Sequence, residues 1–263
     1  MKRAKSFWAV ACVAAQSLFA GGCGGSSASP AAPSAESVFL AGPADETAQT
    51  SDFGAAGMRL APSLAPAAAA SPAAAEWPAT RVQASQVPVP RPDARTRGPA
   101  NAPVTIQVFS DFECPYCAHA APVVRELEHE FGGSIRVVWH DFPLPGHAHA
   151  RLAAATGIEV YVQRGGAAFW RFHDAIFEAQ ARGLDPAVIE ELAIDEGVNR
   201  ARLRSALASG VHDARIDADV LLGDAAGVNG TPAFLVNDWL AVGLLPYSEF
   251  SAIVGYALAE RAR

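Results

Sequence analysis

Lysine is nearly missing from this chain: Lys2 and Lys5 are its two lysines, and arginine supplies every other strong side-chain cation. With 20 Lys+Arg against 27 Asp+Glu, the formal net charge is -7. That balance argues against a nucleic-acid partner, because phosphate binding relies on concentrated positive charge. Cysteine is scarce as well. Cys12, Cys23, Cys114 and Cys117 are the four, and no second close pair exists to complete a four-ligand structural zinc site. A glycine-rich phosphate cradle, a zinc-protease motif and a serine nucleophile elbow are all missing, so those chemistries have no residues to carry them. Large apolar side chains are sparse before Pro99, where alanine accounts for much of the hydrophobic content.

The N-terminus carries Lys2, Arg3 and Lys5, followed by a nearly continuous apolar run over 7–20 broken by Gln16 and Ser17. The run is too short for a spanning helix and suits the apolar core of an export signal. Ala20-Gly21-Gly22 then precedes Cys23. The segment resembles a bacterial lipoprotein signal, which implies cleavage after residue 22 and lipid on Cys23. It departs from the usual pattern in having Ala20 where leucine is common; ordinary secretion is one alternative, and an uncleaved anchor or a cytoplasmic chain another. If the signal is cleaved, Cys12 leaves with it; lipidation would also consume Cys23, leaving Cys114 and Cys117 as thiols in a disulfide-permissive compartment. Residues 23–98, rich in Ala, Pro and Ser, read as a largely disordered tether or a docking segment, since proline interrupts regular structure and few bulky groups offset chain ordering.

From residue 99 onward the pattern becomes globular. Val104 to Phe109 reads as a strand, Cys114-Pro115-Tyr116-Cys117 opens a helix with an apolar stripe of Val123, Val124, Leu127 and Phe131, and Ile135 to His140 reads as a second strand. Pro122 is expected to kink that helix. Strand, helix, strand suggests a βαβ unit with a parallel pair. Helical segments are expected over 148–161, 169–179, 186–196, 200–209 and 213–226, with Asp185-Pro186 as a helix start. A strand at 232–236, a turn at Asn237-Asp238, a short antiparallel strand at 240–242 and an amphipathic helix bearing Tyr247, Phe250, Ile253, Val254 and Ala257 close the chain.

A Cys-x-x-Cys at a helix start can close a small disulfide, and its first sulfur lies near unpaired N–H groups that favour a thiolate. Cys114 is therefore the expected nucleophile and Cys117 the resolving cysteine. A permanent structural disulfide and metal ligation stand beside this reading as alternatives, with His119 and His129 as nitrogens that nothing in the sequence brings together.

Three stretches together resemble the DsbA-like branch of the thioredoxin superfamily: Phe112-Glu113-Cys114-Pro115-Tyr116-Cys117, Asp141-Phe142-Pro143-Leu144-Pro145, and Gly227-Val228-Asn229-Gly230-Thr231-Pro232-Ala233-Phe234-Leu235-Val236. The resemblance covers 99–263 and implies an α/β, thioredoxin-like fold with a helical insertion at about 146–226. It implies a cis-proline loop at Pro232 beside the reactive pair, with Thr231 and Tyr116 meeting substrate. Two departures matter. Val108 stands where such proteins carry a buried carboxylate, so proton transfer falls to Asp111 or Glu113 or to neither. Tyr116 replaces a histidine, which implies a less extreme thiolate at Cys114. Phe112, Tyr116, Trp139 and Phe142 are candidates for an apolar rim, while His140, His147, His149 and His173 read as structural.

The expectation is a protein thiol–disulfide oxidoreductase needing no organic cofactor and no metal. It would exchange disulfides with exported cysteine-containing proteins, as an oxidase and with a periplasmic or membrane partner to recycle it. A dedicated reductase, or a tethered binding or chaperone module, are the alternatives. Its expected place is the periplasmic side of a bacterial membrane, lipid-anchored or secreted.

Overall fold

A computed structural model describes residues 77–263. The signal at 1–22, Cys12, Cys23 and most of the expected tether lie outside the described residues. Within them, six strands form one mixed sheet: β1 (Thr80–Arg81), β2 (Arg95–Arg97), β3 (Val104–Ser110), β4 (Ile135–Asp141), β5 (Ala233–Val236) and β6 (Trp239–Val242), in the order β1-β6-β5-β3-β4-β2. β3 and β4 pair in parallel from Val104↔Ile135 to Ser110↔Asp141, and α1 (Pro115–Phe131) forms the crossover between them. β5 lies antiparallel on the other side of β3, with Val108 opposite Phe234. Asn237, at φ 53, makes the turn into β6, and its side chain accepts from the Thr105 N–H at 3.0 Å.

Period-two alternation sorts the sheet's side chains. Ile106, Val108, Val137, Trp139, Phe234 and Val236 fall in the larger core, with apolar groups of α1, α3 (Gly166–Gln180) and α7 (Tyr247–Arg261). Phe109, Ala233 and Leu235 fall in a second cluster with Phe142, Val228 and Val220 of α6 (Asp213–Ala226). Because both faces are covered, β3 and β4 are nearly continuous buried runs rather than half-polar ones. Between β4 and β5 run α2 (Ala150–Arg164), α3, α4 (Pro186–Asp195), α5 (Arg200–Ser209) and α6, which form the helical insertion. Asp185 caps α4 by accepting from the Ala187 and Val188 N–H groups, with Pro186 at the first helical position.

One boundary moves. Residues 77–98 were assigned to the tether, yet they supply both edge strands. β1 pairs with β6, and β2 pairs with β4 through Arg95↔Trp139. Besides the strand pairing, β2 is held by ionic contacts. The fully buried Arg95 guanidinium lies 2.7 Å from Asp141 and 3.2 Å from Asp219 of α6. Pro122 lies inside α1, which continues through it from Pro115 to Phe131.

Candidate active site

β3 delivers the chain to the site and α1 carries it away. At the junction, Cys114 occupies the N-cap position with Pro115 as the first helical residue, and its carbonyl accepts from the N–H groups of Cys117 at 3.1 Å and Ala118 at 3.2 Å. Both sulfurs are free thiols. The loop before β5 approaches from the other side: Thr231-Pro232 is a cis peptide, and the Cys114 thiol donates to the Thr231 carbonyl at 3.3 Å. Cys114, Cys117, Thr231 and Pro232 are thus brought together as expected. Cys114 retains 3% exposure and Cys117 2%, so access to the first sulfur is narrower than the sequence suggested. Tyr116 is 61% exposed and flanks that access.

The two thiols are driven apart electrostatically. Cys114 is lowered to about 5, chiefly by its hydrogen bond with Cys117. Burial opposes this, while Thr231 and the N–H groups of Cys117 and Tyr116 add to the lowering. The Thr231 hydroxyl is buried with no other partner among the described residues, so it is available to an anionic sulfur. Cys117 moves the opposite way, raised first by burial and then by Cys114, with Ser110 opposing. A low-lying nucleophile over a protonated, buried partner is the division that disulfide exchange requires.

Asp111 and Glu113, the candidates for proton transfer, hold loops, which is the capping role the sequence also offered for them. Asp111 Oδ1 accepts from the Glu113 N–H at 2.7 Å, and its Oδ2 accepts from the Leu144 N–H at 2.8 Å and pairs with His147 Nδ1 at 2.7 Å. Glu113 accepts from the His149 N–H at 2.5 Å. His147 is consequently more than a loop residue. Burial lowers its basicity, but Asp111, Cys114 and Glu113 together raise it above the ordinary imidazole value.

The apolar rim contracts to Tyr116. Phe112 stacks on Trp139 at 4.9 Å between centroids and packs against Phe177 and His173, while Phe142 packs on Phe109 across the sheet. All four partners of the expected rim except Tyr116 are buried, because aromatic surface is more stable inside than in water. Sequence reading also missed Gln180 and Ser110. Gln180, at the end of α3, donates to the carbonyls of Phe112 at 2.9 Å and Cys114 at 3.1 Å, holding the reactive turn from the helical insertion. No local signal marks a glutamine 66 residues away as a partner of that turn.

A parallel β3–α1–β4 unit, a cis-proline strand beside it and a dithiol at the helix start define a thioredoxin-like protein. The profile of a family described as Thioredoxin matches residues 91–255, and the chain belongs to that family. Among solved structures, BdbD from Bacillus subtilis is similar with a TM-score of 0.58 and 23% identity, over 64% of this chain and 94% of that one. A thioredoxin-like oxidoreductase from Silicibacter pomeroyi gives 0.55 and 26%, over 64% and 93%. The α-DsbA1 protein of Wolbachia pipientis gives 0.60 and 16%, over 69% and 98%. A curated relative from Salinispora tropica, described as Na(+)/H(+) antiporter NhaA 3, is 38% identical over 175 residues, which is 66% of this chain and 26% of that protein. The chain thus matches about a quarter of that relative's length, and ion transport is said of that protein alone. Among the described residues no helix is long and apolar enough to cross a membrane.

Proposed function

We propose that this chain catalyses thiol–disulfide exchange with exported proteins and acts as an oxidase, donating a Cys114–Cys117 disulfide. The observation that carries the reading is the dithiol at the start of α1 set against the cis Thr231-Pro232 loop, where Cys117 and the Thr231 side chain lower the Cys114 thiol. A stabilised thiolate favours the reduced enzyme, which makes its disulfide a stronger oxidant. A substrate thiolate attacks Cys114, Cys117 leaves, and a second substrate thiolate releases the new substrate disulfide. The two electrons remain on Cys114 and Cys117 until a recycling partner in the same compartment removes them.

Tyr116 and the Thr231 backbone would meet an extended substrate. Export through the 1–22 signal, lipid on Cys23 and a periplasmic or membrane-surface location belong to the same proposal. An equilibrium redox titration of the Cys114/Cys117 pair tests direction. A potential towards the oxidising end supports disulfide donation, whereas one near that of thioredoxin replaces it with a reductase role. Loss of acyl labelling in Cys23→Ala is expected if the anchor is correct, and unchanged labelling would overturn it.

A further inference from the structure

Beneath Cys117 lies a small cavity whose walls include Val108, Ser110, Trp139, His173 and Pro232. It offers ≈ 20 Å³ to the centre of a water molecule, room for about one water with polar groups to hold it. Exchange through the Cys114–Cys117 pair demands proton traffic here. Cys117 alternates between a thiol and a bonded sulfur, so each turnover must remove or return its proton. Burial and then Cys114 hold that thiol well above its usual range, which makes removal by solvent slow. Position 108 offers only a valine, and the carboxylates of Asp111 and Glu113 are engaged by loop N–H groups and His147.

His173 has the chemistry that the place needs. Its Nδ1 lies 2.8 Å from Asp174 Oδ1. An ionised carboxylate can only accept, so Nδ1 carries the proton and Nε2 keeps a lone pair. Burial opposes ionisation of Asp174, but His173, Arg125 and Arg97 outweigh it and hold the carboxyl below its usual value. Burial lowers His173, and the nearby cations Arg97 of β2 and Arg125 of α1 lower it further, against the pull of Asp174. The ring is therefore neutral at neutral pH, a weaker base than a free imidazole but one whose Nε2 lone pair is open to a proton. Glu128 of α1 faces the same region and is paired with Arg97 at 2.8 Å. β4 presents the uncharged Trp139, edge-to-face with the imidazole at 4.8 Å, and β3 presents Ser110.

We propose that His173, oriented by Asp174, accepts and returns the Cys117 proton through one water in this cavity, with Ser110 as a second polar contact. The proposal rests on the exchange reading above. When the pair reduces a mixed disulfide, the Cys117 proton passes to the water while the water's proton passes to Nε2. Cys117 sulfur bonds to Cys114 sulfur, the Cys114–substrate bond breaks, and the electron pair departs on the substrate thiolate. The two enzyme cysteines are oxidised and the substrate disulfide is reduced; His173 then returns its proton to solvent or to the departing thiolate. The oxidising direction reverses each transfer. His173 is the proton acceptor, and Asp174 is a positioning residue.

The test mixes the full reduced chain with the aryl disulfide dithionitrobenzoate and follows release of the coloured thiolate. Attack by Cys114 releases the first equivalent, and attack by Cys117 releases the second. His173→Gln and Asp174→Asn are each expected to slow the second release by about tenfold or more near neutral pH, with the defect shrinking as hydroxide takes over. The first release reports the exchange reading separately. In the unaltered chain the second rate should level off with rising pH rather than climb about tenfold per pH unit, a measurement that needs no variant. Second-release rates within about twofold of the unaltered chain in both folded variants would overturn the proposal, as would a rate strictly proportional to hydroxide. Absence of the first release would overturn the exchange reading and this proposal with it.

Discussion

The sulfur of Cys114 lies 3.3 Å from the carbonyl oxygen of Thr231, which joins the start of α1 to the loop entering β5. Two segments 117 residues apart therefore share one reactive centre. A substrate sulfur bonded to Cys114 would lie beside this backbone, so recognition can draw on main-chain polarity rather than on a fixed side-chain sequence.

The first prediction follows from the separation of the two thiols. With Cys114 lowered from 9.0 to about 5, alkylation of the reduced chain by iodoacetamide should titrate with a midpoint near about 5 and fall on Cys114. The linkage has a definite sign. A group whose folded value is depressed stabilises the fold fully above its unfolded value and loses that contribution as pH falls through the folded one. Reduced protein should therefore gain stability, relative to Cys114→Ala, as pH rises from about 5 to about 9. Cys117, raised rather than lowered, stays protonated through this window and adds no gain. Thermal unfolding across pH checks the sign, and a flat difference would remove the thiolate.

The second prediction concerns the division of labour. Cys117→Ala should retain attack by Cys114 on a disulfide peptide but accumulate the mixed disulfide, visible by mass spectrometry under non-reducing conditions. Cys114→Ala should form no such adduct, since Cys117 is held protonated. Equal adduct yields from the two variants would contradict the assigned roles.

Much of this centre was legible because its signals are local. The apolar run of β3, the Cys-x-x-Cys at a helix start and the turn at Asn237 each report themselves within a few residues. Partnerships made across the fold were not legible. Gln180 reaches the Phe112 and Cys114 carbonyls only because α3 packs beside α1, and the Asp111–His147 pair depends on the loop after β4 returning to β3. The aromatic residues misled for a related reason. Phe112 adjoins the reactive cysteine in sequence, yet its ring turns inward onto Trp139.

A third prediction tests that loop pairing. Asp111→Ala removes the acceptor for the Glu113 and Leu144 N–H groups and the partner of His147. Leaving a fully buried donor unmatched costs about 1–3 kcal/mol; these donors are partly buried, so denaturant unfolding should register a loss at the lower end of that range. His147 should also become less basic, because Asp111 supplies the main effects raising it. Proton NMR of the imidazole reads that shift, and an unchanged titration would mean that Asp111 does not hold the ring.

A fourth prediction addresses close packing on the opposite face. A Cβ at Gly223 would lie 2.6 Å from a ring carbon of Phe142 and 3.1 Å from one of Phe109, so α6 meets the sheet only because this helical residue has no side chain. Helix propensity favours alanine over glycine by about 1 kcal/mol, yet overpacking a core costs about 1–3 kcal/mol. The steric cost is expected to win, with Gly223→Ala lowering the unfolding midpoint.

The fifth prediction concerns the segment first assigned to the tether. Its contribution was hidden because the side chain that anchors it is an arginine, which ordinarily marks a solvated surface. Here Arg95 is fully buried, bridges Asp141 at the end of β4 to Asp219 of α6, and lies 4.9 Å from the Phe169 ring centroid. Arg91 adds a second contact to Asp219 at 3.0 Å. Removing one member of a buried ion pair costs about 3–5 kcal/mol because the other charges stay desolvated. Arg95→Met should therefore destabilise the fold by roughly that amount, and a chain starting at residue 99 should be less stable still, having lost β1 and β2 as well. Denaturant midpoints of the two variants, compared with a chain starting at residue 77, decide the matter. Equal midpoints for the chains starting at 77 and 99 would show that β1, β2 and the Arg95 bridge contribute no net stability.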